Sequence, residues 1–420
     1  MRRCCQKGNT NLLQNAFVIR REDYHELPYP ASFYPLNLRD YMFSQTISIA
    51  RNAFFESIRQ PVLLVLVLAG MLLLMLSNPL SAFTMDDDQR MLLDIGLATV
   101  FTIGILIASF VASNVLGREI DNKTALTVVS KPVPRPAFVI GKFIGVGLAI
   151  SISMLLLSLV FVMVEQQAVL QTVRTPIHVP VVVFGTGALL IGTAVAVWCN
   201  YFYGFVFSST WLCVTVPSMF IAYALVLNFG PDFSTQSFEF AFRDEIWKAL
   251  LAILISVLIL ASIAIALSTR LGQLGTLSIT FAIFFVGMMS DAWFGYPIDR
   301  IESSWLERAS KDGSTEIVEY VRIMEKINGD IEEVTTEIEE PLSGVSLSSY
   351  AEGSEYTRWT VYRVGYAVVP NFQVLWLTDA LTQNNVIPSR YLLRTTGYGL
   401  LYIIASVSLG VALFQRREVA

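Results

Sequence analysis

The strongest constraint on this chain is a set of apolar runs too long, and too nearly free of charge, for a soluble core. Eight segments, at 61–83, 91–116, 138–164, 181–199, 204–228, 247–267, 274–290 and 395–414, can each cover a hydrocarbon core of about 30 Å at about 1.5 Å per residue, the seventh only just. Inside lipid such runs satisfy their own backbone only as helices. Composition agrees: 54% of the 420 residues are hydrophobic, 15% are charged, and mean hydropathy is +0.57, whereas soluble domains are roughly one quarter charged. The expected fold is an all-α polytopic membrane protein with about eight transmembrane helices. Pro217 in the fifth run is expected to kink it or to split it into a re-entrant pair. Six or seven crossings therefore also fit the sequence.

Lys and Arg in the short connections set the expected orientation. With the N-terminus cytoplasmic, the inside holds eight basic residues before the first run, then Arg118, Lys123, Lys131, Arg135 and Lys142, then Arg270, Arg416 and Arg417. The short outer connections hold only Arg90, Arg174, Arg243 and Lys248. Both termini are thus expected to be cytoplasmic. Residues 1–60 form the N-terminal cytoplasmic segment, with no apolar h-region in 1–40 and hence no cleavable signal expected. Within it, Ile47, Ala50, Phe54 and Ile58 share one side of an amphipathic stretch, which suits an interfacial helix or one packed under the bundle. Residues 61–290 form the main bundle. The connection 291–394 is long and acidic, with 17 acidic against 9 basic residues, and is expected to be extracytoplasmic. In it, Ile317, Val321, Met324, Ile327 and Ile331 fall at helical spacing, so 316–340 reads as an amphipathic helix with a solvated acidic face; a cation-collecting or partner-binding surface is the other reading. Residues 395–420 supply the last crossing and the C-terminus.

Reactive chemistry is sparse. His25 and His178 stand in different segments, so no paired-His metal site is expected. Cys199 and Cys213 fall at or inside predicted spans, and Cys4 and Cys5 lie side by side near the N-terminus, leaving no disulfide framework. There is no GxSxG elbow and no GxxxxGK[ST] phosphate loop. No catalytic residue, metal or cofactor is expected on this chain, which reads as a non-enzyme. Ionisable groups lie at span ends (Asp94, Lys142, Lys248, Asp291), avoiding the cost of at least ~2.5–3.5 kcal/mol for a charge at the bilayer centre. Ion-driven transporters usually place such groups at mid-membrane. Any transport work here must draw its energy from elsewhere.

One charged element sits between two of the most apolar runs: REIDNKTALTVVSKPVPRPAFVIGK, residues 118–142. Glu119, Asp121, Lys123 and Thr124 suit a short helix leaving the second span. Pro132, Pro134 and Pro136 then impose an extended turn, with Arg135 just before the third span. From the residues alone this is either a stiff elbow for a soluble motor to push or an ordinary basic loop obeying the positive-inside rule. Gly141 and Gly145 form a GxxxG that lets the third span approach a neighbour closely.

The segment resembles the signature loop of the type-2 ABC exporter permeases, in which E-x-x-x-x-T is followed by a P-[VIL]-x-R turn and then G-K. These fall on Glu119, Thr124, Pro132, Arg135, Gly141 and Lys142. IARNAFFESIRQP at 49–61, ALSTRLG at 266–272, FFVGMMSD at 284–291, PNF at 370–372 and FQRREV at 414–419 resemble further parts of such permeases, a broad group that includes the permease of the nitrous-oxide-reductase maturation system. The resemblance implies a permease subunit of a bacterial inner-membrane exporter, paired with a separate ATPase that carries ATP and Mg²⁺. It also implies a second permease copy or paralogue. Glu119, Asp121, Lys123, Thr124 and Arg135 would contact the ATPase, and Pro132 would fix the elbow's shape. The chain departs from the usual six spans by an added pair at 181–228, and its outer loop is long. The rival expectation is a non-transporting membrane scaffold that presents its acidic outer segment to a partner.

Overall fold

A computed structural model describes residues 38–83, 88–121, 134–169, 177–327 and 329–415. Nearly all of this belongs to the unit Met42–Ala420; only the first turn of α1 precedes it. The helices are α1 (Leu38–Ile58), α2 (Pro61–Ser81), α3 (Asp88–Asp121), α4 (Arg135–Gln166), α5 (Val179–Tyr203), α6 (Phe207–Val226), α7 (Asp244–Ser268), α8 (Gln273–Met288), α9 (Tyr296–Lys311), α10 (Glu355–Val368) and α11 (Ser389–Gln415). Between α9 and α10 lie β1 (Thr315–Glu325) and β2 (Ile331–Pro341).

Seven of these helices are long and apolar enough to cross a membrane: α2, α3, α4, α5, α6, α7 and α11. Their starts follow local chemistry. Prolines stand in the first turn of α2, α4 and α5, where no intrahelical N–H is needed. Gly204 ends α5 at φ +67°, a left-handed cap that lets α6 begin three residues later. α4 and α7 are the most buried of the seven and form the centre, while α5 and α11 lie at the periphery.

Two expectations need correction here. Pro217 does not split its span, because α6 runs unbroken from Phe207 to Val226. The pairing with α5 supports it there, with Ser218 Oγ donating to the Ala188 carbonyl at 3.2 Å and Gly192 set against Thr215. The seventh run does not stand as a span of its own. α8 has 16 residues, about 24 Å, and reaches crossing length only with the helix that follows it at a 58° bend. A π-turn at Asp291–Gly295 carries the chain round that bend into α9.

The segment expected as an amphipathic helix at 316–340 is instead an antiparallel β-hairpin, with Thr315 opposite Pro341 and Val318 opposite Ile338. Its β-branched content (Ile317, Val318, Val321, Ile323, Val334, Thr335, Thr336, Ile338) favours extended backbone. Gly329 turns the chain at φ +88°. The hairpin stands on α9, which is in turn fastened to α10. There Arg308 grips Glu355 through two N–H···O contacts of 2.9 and 2.8 Å, and the buried Trp305 indole donates to the same carboxylate at 3.0 Å. Trp359 and Arg363 both donate to Glu302, at 2.8 and 2.7 Å.

Candidate functional site

The elbow singled out in the sequence is anchored at the end of the bundle where α1, the start of α4 and the end of α11 meet. Glu119 and Asp121 fall in the last turn of α3, whose helix is described to Asp121. Lys123, Thr124 and Pro132 lie outside the described residues. Arg135 opens α4, and its Nη1 donates to the Gln415 carbonyl at 2.6 Å. The guanidinium thus sits on a carbonyl in the last described turn of α11. Arg135 therefore has a partner within the chain, joining the elbow to the last helix.

Four further contacts lock this end. Phe138 stacks on Phe414, with ring centroids 5.4 Å apart. Gly410 lies close to Ala266, so α11 approaches α7 as well as α4. The GxxxG face of α4 meets α1: a Cβ on Gly141 would stand 2.9 Å from Ile49 Cβ, and one on Gly145 would collide with the Ala50 carbonyl. That contact buries Ala50, Ala53 and Ser57 on one side of α1, while Phe43, Ile47 and Phe55 stay exposed. Ile47 therefore does not share the buried side with Ala50 and Ile58. One turn along, Lys142 Nζ reaches Glu56 Oε2 at 3.0 Å. Lys142 is buried and Glu56 about one-third exposed, so the pair is partly screened but still holds α1 to α4. The neighbour that Gly141 and Gly145 admit is α1 of the same chain.

At the opposite, β-hairpin end, a carboxylate not singled out from the sequence is buried. Glu165 in the last turn of α4 accepts from Arg243 Nη1 at 2.5 Å and from Gln89 Nε2 at 2.9 Å. Its signal in the sequence is spacing. Twenty-two uncharged residues separate Lys142 from Glu165, so these two charges stand ~35 Å apart along α4 and bracket one bilayer core. Lys248 likewise pairs with Asp244 and Glu245 at 3.1 and 2.7 Å, and Glu245 accepts the Ile387 N–H at 2.8 Å. The ion pairs of the spans thus gather at their two ends.

The PNF motif sits where α8, α10 and α11 converge. Asn371 Nδ2 donates to Asp291 Oδ1 at 2.7 Å, Tyr366 hydroxyl donates to the same oxygen at 2.8 Å, and the Asn371 N–H is received by Tyr398 hydroxyl at 2.8 Å. Phe372 is buried against Gly287 and Phe284. This network fastens the bend after α8 to the last span. Among the described residues, no three of His, Cys, Asp and Glu converge as a metal site would require. No protein-family model matches this chain, and a comparison with curated proteins finds no significant match either.

Proposed function

We propose that this chain is the permease subunit of an ATP-driven exporter of the type-2 ABC kind. It works with a separate ATPase that holds ATP and Mg²⁺ and with a second permease copy or paralogue. It resides in a bacterial inner membrane with both termini and the elbow cytoplasmic.

The observation that carries this reading is the E-x-x-x-x-T, P-x-x-R, G-K series, set between helices built to receive a push. α3 has 34 residues and α4 has 32, about 51 and 48 Å, against a core of about 30 Å. Both therefore extend past the bilayer toward the elbow. Arg135, Phe138, Gly141, Lys142 and Gly145 tie the start of α4 to α11 and α1. A displacement of the elbow would move a braced assembly rather than a loose loop.

The test separates docking from transmission. Glu119→Lys places a like charge against a basic groove, a juxtaposition that costs several kcal/mol, and lowers co-purification of the cognate ATPase. Pro132→Gly loosens the elbow, retains the ATPase and lowers transport per ATP hydrolysed. Full ATPase association and full transport by Glu119→Lys would reduce the elbow to a topogenic linker. One observation favours the scaffold reading: the β-hairpin exposes apolar residues on both faces, including Ile317, Ile323 and Ile338. Under that reading both elbow variants are silent and deletion of the hairpin abolishes function.

A further inference from the structure

The β-hairpin is a strap tied at both ends. At its base the Ser314 N–H donates to the Ala309 carbonyl of α9 at 2.9 Å, and the Tyr350 hydroxyl donates to Ser314 Oγ at 3.0 Å. At its tip the Ile327 N–H donates to the Asn384 carbonyl at 2.8 Å, beside an isolated bridge between Lys326 and Asn385. Between these ties run two strands of 11 residues, ~37 Å long at about 3.4 Å per residue. Their side chains alternate between two faces, and the faces differ. On one, Ile317, Val321, Ile323 and Ile331 are each more than half exposed. On the other, Tyr320, Val334 and Ile338 are each less than half exposed. The first face looks outward, and no described residue covers its apolar side chains.

The outward face is also acidic. Glu319, Glu333 and Glu337 alternate with its apolar residues, and Glu319 stands directly opposite Glu337. Like charges so placed destabilise a sheet. Among the described residues, none of these three carboxylates takes a hydrogen bond or an ion pair. On the inner face, by contrast, the Tyr320 hydroxyl donates to Glu340 at 2.8 Å, and Glu332 pairs with Lys326 at 3.0 Å. Thr315 to Pro341 holds nine acidic and two basic residues. Neither base, Arg322 or Lys326, stands at an outward position of the ladder.

We propose that the outward face of the β-hairpin is a docking surface for a cationic polypeptide, a segment of a partner protein in which lysine or arginine is interleaved with apolar residues. Charge selects this occupant. The hairpin of a second copy carries the same excess of acid and is repelled, as is an anionic lipid surface. Small cations neutralise Glu319, Glu333 and Glu337 but leave Ile317, Val321, Ile323 and Ile331 wet, whereas a basic, apolar segment covers both kinds of side chain. The ties at base and tip hold the strands in place beforehand, which lowers the ordering cost of binding. The surface is the same whether the bundle transports or only anchors, so its failure is distinct from failure of the permease reading.

The test uses the full chain in nanodiscs of phosphatidylcholine, which bears no net charge. The probe is a fluorescein-labelled peptide with lysine and valine in turn at every second position and serine between, so that its extended form puts both on one side. Fluorescence anisotropy should show saturable binding that weakens roughly tenfold when serine replaces the valines. Ile323→Thr keeps a β-branched side chain and should weaken binding about fivefold. Glu337→Lys on the outward face and Glu316→Lys on the inner face each break a like-charged pair, with Glu319 and Glu340 respectively. Both should slow amide hydrogen exchange along the strands. Only Glu337→Lys should weaken the peptide, by roughly tenfold, with Glu316→Lys changing it less than about twofold. No binding to the unmodified chain would overturn the proposal. Equal binding of the valine and serine peptides would overturn it too, leaving a collector of free cations. So would equal weakening by the two glutamate variants, which would leave only general acidity.

Discussion

Glu355 shows how much one side chain can hold at the β-hairpin end. Arg308 contacts it through both Nη atoms, and the Glu352 N–H and Trp305 indole donate to it as well. The guanidinium, the backbone N–H and the indole together keep its carboxyl at about 2, below the ordinary 4.5. A folded-state pKa depressed in this way stabilises the structure in full above the ordinary value, and that stabilisation is lost as pH falls through about 2. The expected outcome is tryptophan emission that stays constant from neutral pH to about 3 and shifts to the red as pH falls through about 2, when Trp305 becomes wet. Glu355→Gln should be red-shifted already at neutral pH and lack the acid step. An unmodified chain whose emission does not change well below pH 2 would show that Glu355 does not hold Trp305 in place. None of this grouping was legible in the sequence, because Arg308 and Glu355 lie 47 residues apart. The same holds for Arg135 with Gln415 and for Glu165 with Arg243, each pair brought together only by helix packing.

Elements divide into those whose signal is local and those whose signal is shared between two periods. The spans were legible because charge avoidance over some twenty residues has one physical cause, the cost of a charge in hydrocarbon. The β-hairpin was misread because 317, 321, 324, 327 and 331 satisfy a helical spacing by coincidence. The Asn328–Gly329 pair between two β-branched runs is the stronger signal, since that dipeptide suits a tight hairpin turn. For α1, periodicity located the helix but not its contact. The deciding residues are Gly141 and Gly145 on another element, which accept the α1 backbone where any side chain would not fit. Gly145→Ala should therefore displace α1, at a cost of roughly 1–3 kcal/mol for overpacking. Two readouts check it: a lower melting temperature and faster tryptic cleavage at Arg51 and Arg59. The same change at Gly187, whose added Cβ would meet nothing within 4 Å, should have no effect on either. Equal behaviour of the two variants would show that α1 does not depend on that close approach.

At the scale of the whole molecule, orientation is the property everything else requires. The Lys and Arg distribution predicts the elbow and both termini on one side and residues 291–394 on the other. In a cysteine-free background, Ser343→Cys, exposed beside the β-hairpin, should react with an impermeant maleimide in intact cells. Ser130→Cys should react only after permeabilisation, and the reverse pattern would invert the whole arrangement. The turn between α5 and α6 bears on how that arrangement is reached. Three residues, Gly204 to Val206, join the two helices, and the tip is ringed by Trp198, Tyr201, Phe202, Tyr203 and Phe205, all exposed. From Val179 to Val226 there is no lysine or arginine, so the pair carries no topogenic charge of its own. So short a connection obliges both helices to leave the translocon together, as one preassembled wedge steered by its neighbours. Because the wedge goes in and comes back, it leaves the threading of α7 and α11 as it would be without it. A lineage could therefore gain or lose this pair in a single event without reorienting any other helix.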